Sequence, residues 1–135
     1  MTSENIQEQR SKGGGIGRPR LLLVEDDRAT YSALRGILNL RGWDVRVATS
    51  LAEARSVLIE SVDAVILDLM LPDGRGEGLI PEIRARHPFI PVAVTTGISD
   101  GPRMQAVEQM GATALLRKPI TLVELLKVIG PVASS

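Results

Sequence analysis

Three acidic residues stand together at Glu25, Asp26 and Asp27, directly after the apolar run Leu21–Val24. A fourth, Asp68, closes the run Ala64–Leu67. Thr96 ends a third run, and Lys118 follows a fourth. Carboxylates crowded at one place repel one another, and a hard cation makes them compatible. With no Cys and one His, an oxygen-only donor set favours magnesium over zinc or copper. A lone lysine opposite metal-bound carboxylates suits the charge of a phosphoryl group.

These residues converge only if the apolar runs are neighbouring strands. Leu21–Val24, Ala64–Leu67, Val92–Thr96 and Ala114–Leu116 are short and continuously apolar, as strands buried on both faces are. Val45 and Val47 alternate with Asp44 and Arg46, which suits a strand with one wetter face. Helical periods lie between the runs. Leu34, Ile37 and Leu38 share one face, as do Leu51, Ala54 and Leu58, then Leu79 and Ile83, then Met104 and Val107. Leu122, Leu125, Leu126 and Ile129 make the last face. Ser50 with Glu53 and Thr121 with Glu124 fit the capping box, and Gly42 and Gly111 stand where helices stop. The alternation predicts an α/β fold: a (βα)5 open, doubly wound parallel sheet of five strands with helices on both faces. In such sheets the ligand site lies beyond the C-terminal ends of the strands, where Glu25, Asp26, Asp68, Thr96 and Lys118 fall.

Composition narrows the field. The 135 residues contain 16 basic and 16 acidic side chains and only three aromatics, Tyr31, Trp43 and Phe89. A neutral balance and so few aromatics argue against a nucleic-acid face or a stacking surface. The absence of Cys excludes thiol catalysis and Cys-ligated metal. Residues 1–20 hold almost no apolar side chains and four glycines, so they read as a disordered, slightly basic tail before a domain at 21–132. The tail has no apolar run fit for a signal peptide, and no later run approaches membrane-spanning length.

The motifs Leu-Val-Glu25-Asp26-Asp27, Leu67-Asp68-Leu-Met-Leu-Pro72-Asp-Gly74, Val94-Thr95-Thr96-Gly97 and Arg117-Lys118-Pro119-Ile120 stand in order at matching strand ends. Together they make residues 21–129 resemble the receiver domain of bacterial two-component response regulators, of the single-domain chemotaxis or phosphorelay type with a flavodoxin-like fold. The resemblance implies that Asp68 is the phosphoacceptor, taking a phosphoryl group from a sensor histidine kinase or a histidine phosphotransfer protein. It implies that Glu25 and Asp26 hold Mg2+ with Asp68, the backbone carbonyl of Met70 completing the ligands. Thr96 and Lys118 would bind the phosphoryl oxygens, and the Lys118–Pro119 bond would be cis. Phosphoryl transfer asks mainly for positioning and charge neutralisation, and an Asp ionised near pH 7 needs no adjacent base. Such a protein is cytoplasmic, works as a monomer or weak homodimer, and touches neither nucleic acid nor membrane directly. It catalyses only its own phosphorylation and dephosphorylation. Its output would pass through a changed affinity for a downstream protein, read from Arg103, Gln105, Glu108 and Lys127 as exposed residues on the last two helices.

Several residues have plainer readings. Asp27 reads as a helix cap or a solvated loop residue, His87 as a helix-end residue rather than a phosphodonor, and Met104 and Met110 as packing residues. Gly74, Gly76 and Gly78 miss the dinucleotide-binding spacing and read as loop-shaping. The chain departs from the receiver pattern at Leu115, where many receivers carry an aromatic that acts with the hydroxyl residue as a switch, so a Thr96–Leu115 switch would lack its ring. Met70 and Ile98 set apolar side chains near the path of hydrolytic water. Trp43 falls at the opposite end of the sheet from the site. Met1 and the polar ends suit a single-domain regulator rather than part of a longer one. Two rival classes stay open: a receiver that acts as an unphosphorylated binding module, and a magnesium-dependent phosphatase of the haloacid dehalogenase type, which would want an Asp where Met70 stands.

Overall fold

Leu21, Leu22, Leu23 and Val24 have no exposed surface at all, which requires cover on both faces of their strand. Each such side chain stabilises the fold by about 1.5–3 kcal/mol on burial, so the strand belongs at the centre of a sheet. In the computed structural model, which describes residues 17–97 and 100–131, that strand is β1 (Arg20–Val24). It is followed by α1 (Arg28–Leu40), β2 (Asp44–Ala48), α2 (Leu51–Leu58) and β3 (Ala64–Asp68). A two-residue pair, β4 (Met70–Leu71) and β5 (Gly74–Arg75), and a 3-10 turn at Gly76–Gly78 lead into α3 (Leu79–Arg86). The chain ends with β6 (Val92–Thr96), α4 (Gly101–Gln109), β7 (Ala114–Arg117) and α5 (Leu122–Ile129).

The five long strands are parallel in the order β2-β1-β3-β6-β7. Strand alternation divides the core in two. Leu22, Val24, Val65, Leu67, Val92 and Val94 face α2, α3 and α4 through Leu51, Ala54, Leu58, Leu79, Ile83 and Val107. Leu21, Leu23, Ile66 and Ala93 face α1 and α5 through Leu38, Leu125 and Ile129. This is the expected doubly wound architecture. Strand order reverses between β1 and β3, which fixes where a ligand site can open.

The helix caps follow the sequence signals. Ser50 and Thr121 accept the backbone N–H groups of Glu53 and Glu124, both at 3.1 Å. Glu53 completes its box on Thr49, accepting from its N–H and hydroxyl. Gly42 and Gly111 take φ of 101° and 111°, left-handed conformations that let the chain leave α1 and α4.

Three expectations change. Ile37 is 40% exposed, because the inward stripe of α1 runs through Tyr31, Leu34 and Leu38. Met110 lies at the C-cap of α4 and is 39% exposed, whereas Met104 packs against the core. Ordered structure begins before residue 21: Arg20 starts β1, and the Arg18 guanidinium donates to the carbonyls of Asn39, Gly42 and Trp43. The expected tail over residues 1–16, Ile98 and the end of the chain from residue 132 lie outside the described residues.

Candidate functional site

Parallel strands in register bring the ends of β1, β3, β6 and β7 to one rim. Glu25 leaves β1 with its N–H bonded to the Ala48 carbonyl, and its side chain turns back into the protein, 3% exposed. Asp68 is the last residue of β3, likewise 3% exposed, while Asp26 is exposed at the rim. One carboxylate oxygen from each of Glu25, Asp26 and Asp68 lies within 4.8 Å of the others. The Lys118 Nζ, from just past β7, donates to Asp68 Oδ2 at 3.2 Å and lies 3.5 Å from Glu25 Oε1. Lys118 is held there by its own backbone, whose N–H donates to the Thr96 carbonyl at 2.8 Å, and it precedes a cis peptide bond to Pro119. Thr96 is fully buried at the end of β6.

The electrostatics of the rim are uneven. Burial pushes the Glu25 carboxyl above its usual range; the Asp27 N–H and Lys118 oppose this, and the neighbouring Asp68 charge adds to it. For Lys118, burial works against its charge, but Asp68 and Glu25 outweigh it and leave the ammonium more basic than usual. Three carboxylates sharing one lysine are under-neutralised. An all-oxygen donor set open to solvent at Asp26 fits a divalent cation of the Ca2+ or Mg2+ kind.

Two acidic neighbours stay out of the cluster. Asp27 caps α1, accepting from the Thr30 N–H at 3.0 Å and the Thr30 hydroxyl at 2.6 Å, bonds that hold its carboxyl below the usual range. Asp73, in the turn between β4 and β5, caps α2 by accepting from the N–H groups of Leu51 and Ala52. His87 ends α3 at the far edge of the sheet, away from the rim. Trp43 is 4% exposed just before β2, also at that far edge.

The loop after Asp68 holds what sequence reasoning missed. The Met70 N–H donates to Asp68 Oδ1 at 3.2 Å, and the Met70 side chain is 59% exposed. Gly76 packs on the backbone of Asp68 so closely that a Cβ there would stand 2.2 Å from the Asp68 carbonyl oxygen. The glycine run signalled a shaped loop; its contact with the acceptor strand is a tertiary fact. Arg103 is not an exposed residue of α4. Its side chain is 15% exposed and paired with Glu77, whereas Gln105, Glu108 and Lys127 are exposed as expected. Leu115 on β7 packs against the α2–α4 side of the core.

Fold and site together define a doubly wound α/β domain with a three-carboxylate cluster and an opposed lysine at its switch point. A sequence model of the response regulator receiver domain matches residues 21–130. The chain belongs to that family. It is 35% identical over 106 residues to the transcriptional regulatory protein CpxR of Klebsiella pneumoniae, covering 78% of this chain and 45% of that protein. It is 35% identical over 112 residues to the transcriptional regulatory protein PrrA of Mycobacterium tuberculosis, covering 82% and 48%. The chain thus spans about half the length of these relatives. Among solved structures, it resembles a CheY-like receiver domain protein of Methanospirillum hungatei, with TM-score 0.76, 26% identity, and coverage of 81% of this chain and 88% of that one. It also resembles a response regulator of Burkholderia pseudomallei crystallised with a phosphorylated aspartic acid and a calcium ion. There the TM-score is 0.77 at 25% identity, covering 82% of this chain and 66% of that one.

Proposed function

We propose that the chain is the phosphoacceptor of a two-component or phosphorelay system and that Asp68 carries the phosphoryl group. The observation behind this reading is the placement of Lys118 Nζ at 3.2 Å from a buried Asp68 carboxylate that also belongs to the three-carboxylate cluster. An Asp68 oxygen attacks the phosphorus of a phosphohistidine on a sensor histidine kinase or phosphotransfer protein. The P–N bond breaks, the imidazole leaves with the electron pair and takes up a proton, and an acyl phosphate remains. Glu25, Asp26, Asp68 and the Met70 carbonyl would hold Mg2+, which would supply charge neutralisation for the phosphoryl group. Lys118 and the Thr96 hydroxyl would bind phosphoryl oxygens and offset their charge. The protein needs no other catalytic group, so it acts only on its own acyl phosphate.

A groove lined by Thr30, Ala33, Leu34, Lys118, Pro119 and Ile120 opens beside the site and supports approach of the donor from the α1 side. The exposed residues Gln105, Glu108 and Lys127 support a downstream protein target at α4 and α5. A cytoplasmic site of action is proposed from the receiver family to which the chain belongs. The test is incubation with acetyl phosphate and magnesium followed by intact mass. Wild type gains about 80 Da and Asp68→Asn does not. No gain in wild type, even from a cognate kinase, would favour the unphosphorylated binding module.

A further inference from the structure

Glu77 and Arg103 lie outside the carboxylate cluster, and the phosphoryl chemistry above does not use them. Glu77 sits in the 3-10 turn after β5, and Arg103 is in the first turn of α4. Their side chains are only 9% and 15% exposed. The guanidinium grips the carboxylate as a fork, Nε to Oε2 and Nη2 to Oε1, the latter at 2.7 Å. The same Nη2 lies 3.4 Å from the carbonyl oxygen of Leu69, the residue after Asp68. That carbonyl also accepts the Gly76 N–H at 3.0 Å. One guanidinium therefore ties the first turn of α4 to both ends of the loop that leaves the acceptor.

Stability alone does not account for this pair. Two charges with so little exposed surface lose hydration, and well-packed apolar residues commonly do as well in such places. What an ion pair adds is direction and reversibility: it joins two named elements and can be exchanged for other partners. Its location matters because Thr96, at the end of β6, shortly precedes α4 in the chain. Leu115, beside Val94 on the neighbouring strand, has no hydroxyl with which to relay a change at Thr96. Resting on the reading of Asp68 as phosphoacceptor, we infer that Glu77 and Arg103 are positioning residues whose pair latches α4 in the arrangement of the unmodified protein. Engagement of Thr96 by a phosphoryl group at Asp68 draws on α4 and opens the pair.

The test uses the full chain, with beryllofluoride and magnesium as the acyl phosphate mimic. Mimic affinity is read by fluorine NMR, and the exposure of the α4 amides by hydrogen exchange. Removing a latch that favours the unmodified state raises affinity for anything that favours the other state. Glu77→Gln should bind beryllofluoride between about 5- and 150-fold more tightly, the usual span of coupling between sites. Its α4 amides should exchange faster without the mimic, and its affinity for Mg2+ alone should be unchanged. The double variant Glu77→Leu, Arg103→Leu keeps the contact packed and should behave alike, while Glu77→Arg with Arg103→Glu should return both readouts toward wild type. Folded variants with unchanged or weaker mimic affinity overturn the latch. If wild type does not bind the mimic, or Asp68→Asn binds it equally, the phosphoacceptor reading fails. The α4 exchange then decides the tie by itself: faster in Glu77→Gln supports it, and unchanged overturns it.

Discussion

Replacing Gly76 by Ala perturbs the acceptor carboxylate without touching any charged group. The added methyl would stand 2.2 Å from the Asp68 carbonyl oxygen, 2.9 Å from the Leu69 Cα and 3.1 Å from the Asp68 carbonyl carbon. All three neighbours are backbone, so no side chain can rotate away. Ordinary contact lies near ~3.5 Å, so the turn or the end of β3 must give by about 1 Å. The Gly76 N–H bond to the Leu69 carbonyl, 3.0 Å long, lies in the path of that shift. Overpacking a rigid site costs about 1–3 kcal/mol, and a weakened hydrogen bond adds about 1 kcal/mol. The expected loss is about 3 kcal/mol, which at a slope of about 1.5 kcal/mol per molar lowers the urea midpoint by about 2 M. Misplacing a reacting group by about 1 Å also slows its chemistry by about 100-fold. The rate of mass gain from acetyl phosphate measures that second effect. Gly78→Ala is the control, because nothing lies within 4 Å of its added Cβ and its φ of −61° suits any residue. It should shift stability by no more than about 0.5 kcal/mol and leave the rate alone. If Gly76→Ala matches Gly78→Ala in both midpoint and rate, the packing of this turn on the acceptor strand is refuted.

Three further outcomes are expected. Burial raises the Glu25 carboxyl, so this group takes up a proton on acidification before an ordinary carboxylate does. Its folded-state value lies above its unfolded one, so its ionisation opposes folding, and that penalty fades as pH falls through the folded value. Mg2+ needs the ionised form, so affinity measured by calorimetry from about pH 8 to about pH 4.5 should weaken from above the usual Glu range. A decline confined to the ordinary range would show that burial does not hold Glu25 above it. Trp43 stands at the far edge of the sheet, so Mg2+ titration should leave tryptophan fluorescence nearly unchanged, and strong quenching would displace the site from this rim. Met70 sets a largely exposed apolar side chain beside Asp68, so Met70→Asn should speed loss of the acyl phosphate about threefold or more, followed by intact mass over time. A rate equal to wild type would remove Met70 as a barrier to water.

Much of the site was legible because it is built from strand ends. A parallel sheet carries the residue after each apolar run to one rim, so Glu25, Asp26, Asp68, Thr96 and Lys118 could be grouped from chain order alone. Their type then named the chemistry, since oxygen donors with one opposed ammonium suit a hard cation and a phosphoryl group. The same logic does not extend to Asp73, an acid that follows the short strand β4. A two-residue hairpin turns it toward the N-terminus of α2, where the Leu51 and Ala52 N–H groups donate to its carboxylate. Exposure of Arg103 was misjudged for a related reason: periodicity places a residue on a helix face but does not say what an adjoining loop lays over that face.

The amino-acid sequence by itself determined the alternation of elements, the two-sided burial of the central strands, the caps at Ser50 and Thr121, and the membership of the carboxylate cluster. Each of these depends on residue type and on separations of a few positions, which local physics reads directly. Only the tertiary structure decided the Glu77–Arg103 pair, the contact of Gly76 with Asp68, and the burial that makes Glu25 reluctant to ionise. Those depend on segments brought together by packing, between which no local period exists. The rim was therefore written in the strands, and its connection to α4 in the loops that close over it.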